Sequence, residues 1–215
     1  MSEIERENKF TVVRSVLYEI MGVLASTTSL DGFTRSHVDP RTHIDSYFDT
    51  LDYRLVRARS ALRIRQNNLT SALYFKREIN PGDITERLEC KNQLKYDVDD
   101  VAQLDQSLEP IRLAREITGT SELAYTLGII NLGKAITFST EEYGIDQSVL
   151  GVGLDRLFYL DKNGRALRAY ELEVELKEGN PDALKRFSDM LLRSYPLTPN
   201  LNSKYANGLK LFNLS

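Results

Sequence analysis

Three glutamates spaced two apart carry the most pointed chemistry in this sequence. Residues 170–177 read Tyr-Glu-Leu-Glu-Val-Glu-Leu-Lys, which places Glu171, Glu173 and Glu175 on one face and Leu172, Val174 and Leu176 on the other. A period of two is the pattern of a strand. Carboxylates in a file repel one another, so that face is either in water or set against cations. Taken alone, such a strand reads as one with a solvated face. The rest of the chain, however, carries charges of both signs on segments of the same kind. Glu3, Glu5, Glu7 and Lys9 share a face near the start, opposite Ile4, Arg6, Asn8 and Phe10. Arg57, Arg59, Arg63 and Arg65 alternate with Val56, Ala58, Leu62 and Ile64, with a turn expected at Ser60-Ala61. Tyr74, Lys76 and Glu78 oppose Leu73 and Phe75; Arg87, Glu89 and Lys91 oppose Leu88 and Cys90. A file of arginines buried without partners is strongly unfavourable, so these either meet water or face anions.

The elements that must position these side chains follow from periodicity and turn chemistry. Residues 11–25 have helical spacing, with Val13, Val16, Leu17, Ile20, Met21 and Leu24 as a packing stripe. Residues 26–40 read as a loop, and 43–50 as a β-branched and aromatic strand. Strands are expected at 72–79 and 85–91, joined through the turn Asn80-Pro81-Gly82-Asp83. Residues 97–131 change character: Val101, Leu104, Leu108, Ile111, Leu113 and Ile117 suit short helices broken at Pro110 and Gly119, a helical insertion. Strands resume at about 134–143 and 149–160. In the second, Asp155 stands among Leu154, Leu157 and Phe158, and a lone acid of this kind reads as solvent-facing. Asp161-Lys162-Asn163-Gly164 is a hairpin turn into the glutamate strand. Asn180 and Pro181 open a helix to about Arg193, with Leu184, Phe187, Met190 and Leu191 buried. About eight antiparallel-compatible strands can close a barrel. With polar faces outward it would be a barrel with a greasy core. With polar faces inward it would be a tunnel of acids and bases, suited to a polyphosphate whose oxygens meet the bases while the acids hold a divalent cation.

Composition narrows the function classes. The chain has 215 residues and a formal net charge of −3, with 28 Lys and Arg against 31 Asp and Glu. There is no global basic bias toward nucleic acid, no apolar run of membrane-spanning length and no signal-like start. Cys90 is the single cysteine, which excludes an intrachain disulfide and fits a cytoplasmic location. His37 and His43 are the only histidines, so a structural zinc site is not expected and any metal would be oxygen-ligated.

These segments together resemble the CYTH domain, the triphosphate tunnel metalloenzymes. Glu5-Arg6-Glu7-Asn8-Lys9-Phe10 matches the family's opening E-x-E-x-K, with Glu3-Ile4-Glu5 a competing register that lacks the lysine. Asp45-Ser46-Tyr47-Phe48-Asp49-Thr50 and then Ala61-Leu62-Arg63-Ile64-Arg65 resemble its next signature. Lys76 fits a strand lysine, Arg87-Leu88-Glu89 an R-x-E, residues 171–179 the late acidic strand, and Ser203-Lys204-Tyr205 to Gly208-Leu209 the C-terminal segment. The matches occur in family order and span nearly the whole chain. Three departures stand out. Glu3 is an extra acid in phase, and Arg59 replaces a small residue. The sixth strand reads Lys134-Ala135-Ile136-Thr137-Phe138 where arginines are common in the family, with Arg193 considered as a substitute.

The resemblance implies one α+β domain over residues 1–215: an eight-stranded antiparallel closed β-barrel forming a triphosphate tunnel, with surrounding helices. It implies a hydrolase for a triphosphate, foremost inorganic triphosphate, dependent on Mg²⁺ or Mn²⁺. Lys9, Arg63, Arg65, Lys76, Arg87 and Lys204 would bind phosphate. Glu5, Glu7, Glu171, Glu173, Glu175 and Asp155 would hold metal, and Glu5, Glu7, Lys9 and Glu173 would form the catalytic group. A class IV adenylyl cyclase, a thiamine triphosphatase and a non-catalytic polyphosphate-binding module are the alternatives. The expected partner is a small triphosphate or polyphosphate, with neither nucleic acid nor membrane; oligomeric state, metal preference and the water-orienting residue stay open.

Overall fold

In a computed structural model, residues 2–67, 69–80, 82, 84–140 and 147–214 are described. Along the chain run β1 (Ser2–Thr11), α1 (Arg14–Ser26), β2 (Ser29–Leu30), β3 (Phe33–Asp49), α2 (Arg54–Arg57), β4 (Ser60–Gln66), β5 (Ser71–Asn80) and β6 (Thr85–Leu94). A 3-10 turn at Val101–Gln103 precedes α3 (Glu109–Thr118), β7 (Ala124–Thr140), β8 (Val149–Asp161), β9 (Ala166–Glu178), α4 (Pro181–Ser194), β10 (Thr198–Pro199) and α5 (Lys204–Leu211). The eight long strands pair in the order β1-β6-β5-β4-β3-β7-β8-β9, all antiparallel, and β9 returns to β1 to close the barrel. The first half of β1 pairs with β6 and the second half with β9, so ten residues serve both edges of the closure.

Alternation sets what lies where. Phe10, Leu172, Val174, Val152 and Ile136 point outward and are covered by Leu17, Ile20 and Leu24 of α1 and by Leu184, Phe187 and Leu191 of α4. On the other side Leu62, Ile64, Leu73, Phe75 and Cys90 lie under Leu55 of α2 and Ile111 and Ala114 of α3. The apolar cores are therefore outside the barrel, and the charged faces point into it. A third apolar cluster is the exception. Tyr47, Leu127, Ile129, Leu157 and Tyr159 gather around Tyr205, Leu209 and Phe212 at α5. Tyr47 and Tyr205 stack with ring centroids 5.0 Å apart. At Gly208 any Cβ would collide with Leu127 and Tyr159, so only glycine lets the helix sit this close. α5 thus stoppers the inside of the barrel.

Several local expectations hold. Asn180 accepts a hydrogen bond from the Asp182 backbone and Pro181 begins α4. Asp161 organises the β8–β9 turn by accepting from the backbone N–H groups of Asn163 and Arg165, and Gly164 takes a positive φ of 79°. Pro81 and Asp83 of the expected turn, and 141–143 at the end of an expected strand, lie outside the described residues.

Other expectations are corrected. Ser60 and Ala61 begin β4 instead of forming a turn, and Arg57 ends α2. Arg59, at φ 50°, pairs with Glu78 at 2.6 Å with its side chain largely exposed. Two of the four arginines in that alternation therefore leave the strand. The helical insertion ends at Thr118, and β7 begins at Ala124. β3 begins at Phe33, well inside the expected loop, and continues through Pro40. Proline is tolerated there because β4 pairs only with residues 44–48, leaving one side of that stretch without a strand partner among the described residues.

Candidate functional site

The register lines up the inward faces. Across β1 and β9, Glu7 opposes Glu175, Lys9 opposes Glu173 and Thr11 opposes Glu171. Across β8 and β9, Asp155 opposes Glu171. Glu5 opposes Arg87, Lys76 opposes Glu89, and Arg65 opposes Asp45. A cavity inside the barrel is lined by Glu7, Lys9, Arg63, Lys76, Arg87, Glu173 and Lys204, together with Tyr47, Ala61, Tyr74 and Ser203. Arg63 and Glu173, from distant parts of the chain, thus face one space.

Asp155, Glu171 and Glu173 form the tightest acidic group, each offering an oxygen within 4.8 Å of the others. Asp155 is fully buried, which corrects the reading of it as solvent-facing. Lys204, at the start of α5, reaches into this group: its Nζ lies 3.1 Å from Asp155, 3.1 Å from Glu171 and 2.8 Å from Glu173. Only the last contact has hydrogen-bond geometry. Neither Asp155 oxygen nor Glu171 Oε1 has a hydrogen-bond partner among the described residues. Burial works against the Lys204 ammonium, but Glu173, Glu171 and Asp155 hold its pKa well above the usual lysine value. Burial likewise opposes ionisation of Glu173, yet Lys204 and Arg41 keep its carboxyl well below the ordinary range. Buried, incompletely hydrogen-bonded carboxylate oxygens suit a hard divalent cation, so the donor set fits Mg²⁺ or Mn²⁺.

The other candidate acids are placed differently. Glu5 accepts two hydrogen bonds from Lys76 Nζ, at 2.6 and 2.7 Å. Against the penalty of burial, Lys76 lowers Glu5 to about 2. Glu7 pairs with Arg87 and lies 3.5 Å from Lys9. Glu175 pairs with Lys177 at 2.5 Å, and burial and Glu5 push its pKa up. None of these three belongs to the close group of Asp155, Glu171 and Glu173, although the charge of Glu173 acts on both Glu5 and Glu175.

The candidate cations also separate. Arg65 is bound bidentately by Asp45, at 2.6 and 2.7 Å, and does not line the cavity. Arg63 is held loosely, with Nη1 3.3 Å from Tyr47 Oη and 3.4 Å from Asp45, and with the Tyr74 ring 5.0 Å from its Cζ. Lys76 is shared by Glu5 and Glu89, each at 2.6 Å. Lys9 donates to the Asn202 carbonyl at 2.8 Å, and burial lowers its pKa. Arg193 is exposed on α4, outside the barrel, and does not compensate for the missing sixth-strand arginines.

Sequence reasoning missed Arg41, Tyr47, Tyr74 and His43 as site residues. Arg41 Nη1 lies 3.4 Å from Glu173 and 3.6 Å from Asp155. Extending the odd-numbered alternation of His43, Asp45 and Tyr47 back by two residues would have found it. His43, close to Asp45 at 3.6 Å, is neutral: burial and then Arg65 bring its pKa down to about 3, so the contact is not an ion pair.

Comparison with known proteins agrees with this geometry. A structure from Bacillus halodurans, a candidate adenylate cyclase, matches with TM-score 0.68 and 22% identity over 98% of both chains. HpAC1 from Hippeastrum, described as having a dominant triphosphatase activity, matches with TM-score 0.61 and 17% identity over 96% of this chain and 95% of that one. The PH1819 protein from Pyrococcus horikoshii OT3 matches with TM-score 0.55 and 17% identity over 97% and 99%. These identities speak to the fold. A search of curated proteins by sequence returned no match. The model of the CYTH domain matches residues 3–206. A closed eight-stranded barrel, charges of both signs directed inward, and a family match over nearly the whole chain make this protein a member of the CYTH family.

Proposed function

We propose that this protein is a divalent-metal-dependent hydrolase of a triphosphate, foremost inorganic triphosphate. The observation that carries the reading is the opposition, in one buried cavity, of an acidic wall and a basic wall. Glu173 and Lys204 lie on the side of Asp155 and Glu171; Arg63, Lys76 and Arg87 lie on the other. A triphosphate concentrates several negative charges in a small volume and needs fixed cations once it leaves water. Arg63, whose nitrogens are loosely engaged, suits forked contact with phosphate oxygens; Lys9, Lys76 and Lys204 act as point charges. Arg87 completes the basic wall opposite Glu7.

Asp155, Glu171 and Glu173 would hold a divalent cation, with Glu5 and Glu7 one layer away. Bound there, the metal would offset charge on the phosphoryl group and supply Lewis acidity. The stoppered end favours inorganic triphosphate over an organic one. Tyr47, Leu127, Ile129, Leu157, Tyr159 and Tyr205 pack that end with apolar side chains, so an organic group would have to lie toward the other end.

The deciding experiment is a substrate panel with Mg²⁺ or Mn²⁺. Phosphate release would be followed for inorganic triphosphate, ATP and thiamine triphosphate, and cyclic AMP would be assayed in parallel. Release fastest from inorganic triphosphate, abolished by EDTA, is expected. Cyclic AMP as the main product of ATP would establish the cyclase alternative, and binding without turnover would establish the binding-module alternative.

A further inference from the structure

We propose that Arg41 is an additional phosphate-binding residue of the tunnel, parked on the acidic wall until a metal ion takes its place. The proposal rests on the triphosphate reading and adds to it a residue outside every motif.

Arg41 lies on β3 but acts two strands away. In register it faces Gly133 of β7, which in turn faces Asp155 of β8. From there the guanidinium reaches past β7 to Asp155 and Glu173. A second glycine receives it. A Cβ at Gly153 would collide with Arg41 Nη1 and come within 3.6 Å of the Glu173 Cβ. The position at Gly153 is thus bare where the arginine ends, whereas a Cβ at Gly133 would meet the backbone of Leu154 and Asp155.

Its partners hold it loosely. The two contacts, 3.4 and 3.6 Å, are both made by Nη1 and are long for charge-assisted pairs. Arg65, on the same inner surface, shows the saturated alternative, with two nitrogens on one carboxylate at 2.6 and 2.7 Å. The Arg41 side chain keeps a quarter of its surface accessible. A guanidinium has five donors, and a single 3.4 Å hydrogen bond to Glu173 engages one of them among the described residues.

The two acids that hold Arg41 are also two of the three that would hold a metal. With a divalent cation held there, Asp155 and Glu173 would no longer attract the guanidinium, and Arg41 would be free for an anion beside Glu173, a residue that also lines the cavity. This supplies on the acidic side the cation that the sixth strand lacks, since β7 presents Gly133 and Ala135 inward.

The test uses Arg41→Ala, Arg41→Lys and Gly153→Ala on the full chain, read by calorimetry with two probes: Mn²⁺ alone, and inorganic triphosphate with Ca²⁺. Arg41→Ala should bind Mn²⁺ at least about twofold more tightly, because a competing charge is gone. It should bind triphosphate about tenfold or more weakly, because a charged hydrogen-bond donor is lost. Arg41→Lys should recover part of the triphosphate affinity. Gly153→Ala, which displaces the guanidinium without removing it, should move Mn²⁺ binding in the same direction as Arg41→Ala. A purely structural arginine would lower the melting temperature and leave both affinities alone. Wild-type binding of triphosphate with Arg41→Ala binding it equally well would overturn this proposal and leave the triphosphate reading standing. Failure of the wild type to bind triphosphate would overturn both.

Discussion

The basic and acidic walls of the tunnel are neutralised in different ways. On the basic side of the barrel, Arg63 apart, each cation faces an acid in register on a neighbouring strand: Arg65 with Asp45, Lys76 with Glu89, and Arg87 with Glu5, while Arg87 also pairs with Glu7. The backbone ladder sets these pairs, and they are short. On the acidic wall, Asp155, Glu171 and Glu173 sit on two adjacent strands; Lys9 opposes Glu173 in register, but its close ion pair is with Glu7. Their counter-charges arrive from elsewhere: Lys204 from the N-terminus of α5, Arg41 from β3 across β7. Both are long, flexible side chains, and several of their contacts lack hydrogen-bond geometry. The basic side is therefore largely paired along the ladder, whereas the acidic wall is filled by groups reaching in from other elements, which the proposed metal would displace.

The largest expected effect tests the fixed wall. Arg65→Ala leaves Asp45, fully buried, without its bidentate partner. Breaking one side of a buried pair costs about 3–5 kcal/mol, so chemical denaturation should show a loss of that order. This differs from the expectation for a phosphate-gripping arginine, whose removal would leave the fold unharmed. A stability change below about 0.5 kcal/mol would mean Asp45 is not locked by Arg65 and would erase the contrast between the walls.

A smaller effect sharpens the comparison within one strand. Arg63 sits two residues from Arg65 but lines the cavity and is loosely held. Arg63→Ala should lose triphosphate affinity by about tenfold, near 1.4 kcal/mol. The melting temperature gained on adding triphosphate with Ca²⁺ should shrink accordingly. Equal ligand-induced shifts in the wild type and Arg63→Ala would show that this arginine does not grip phosphate.

A third effect concerns pH. His43 sits beside Asp45 with a pKa held down from 6.5 to about 3. The unfolded chain takes up a proton on this residue as pH falls through about 6.5, while the folded chain resists until about 3. The stability His43 contributes is thus complete above pH 6.5 and lost progressively below it, at no more than about 1.4 kcal/mol per pH unit. Glu5, lowered from 4.5 to about 2, adds its own loss only below about pH 4.5. Melting between pH 6.5 and 4.5 should therefore be less pH-dependent in His43→Gln than in the wild type. Unchanged slopes would place His43 in contact with water.

Much of this was legible because charge alternates with apolar residues over most strands. Glu171, Glu173, Glu5, Glu7, Lys9, Arg63, Lys76 and Arg87 all fall on faces that the period of two assigns together. The missed pieces share a cause. Arg41 fell between the loop expected at 26–40 and the strand expected at 43–50, and Pro40 is allowed in β3 because that stretch has a strand on one side. Asp155 looked isolated because its partners, Glu171 and Lys204, are 16 and 49 residues away in the sequence. Arg57 and Arg59 matched the alternation but left the strand through α2 and a residue of positive φ.

By itself the sequence determined which residues share a face on most strands, that a helix follows the first strand, where α4 starts and stops, and that the polar faces carry both signs. Those are local properties, set by side-chain period, capping and turn chemistry. Only the tertiary structure decided that β1 closes the ring against β9, that α5 stoppers one end, and which cation each acid holds. Pairing and register are relations between distant segments, and a period of two fixes a face without naming its neighbour. The difference between Arg65, locked by Asp45, and Arg41, resting against Gly153, arises there.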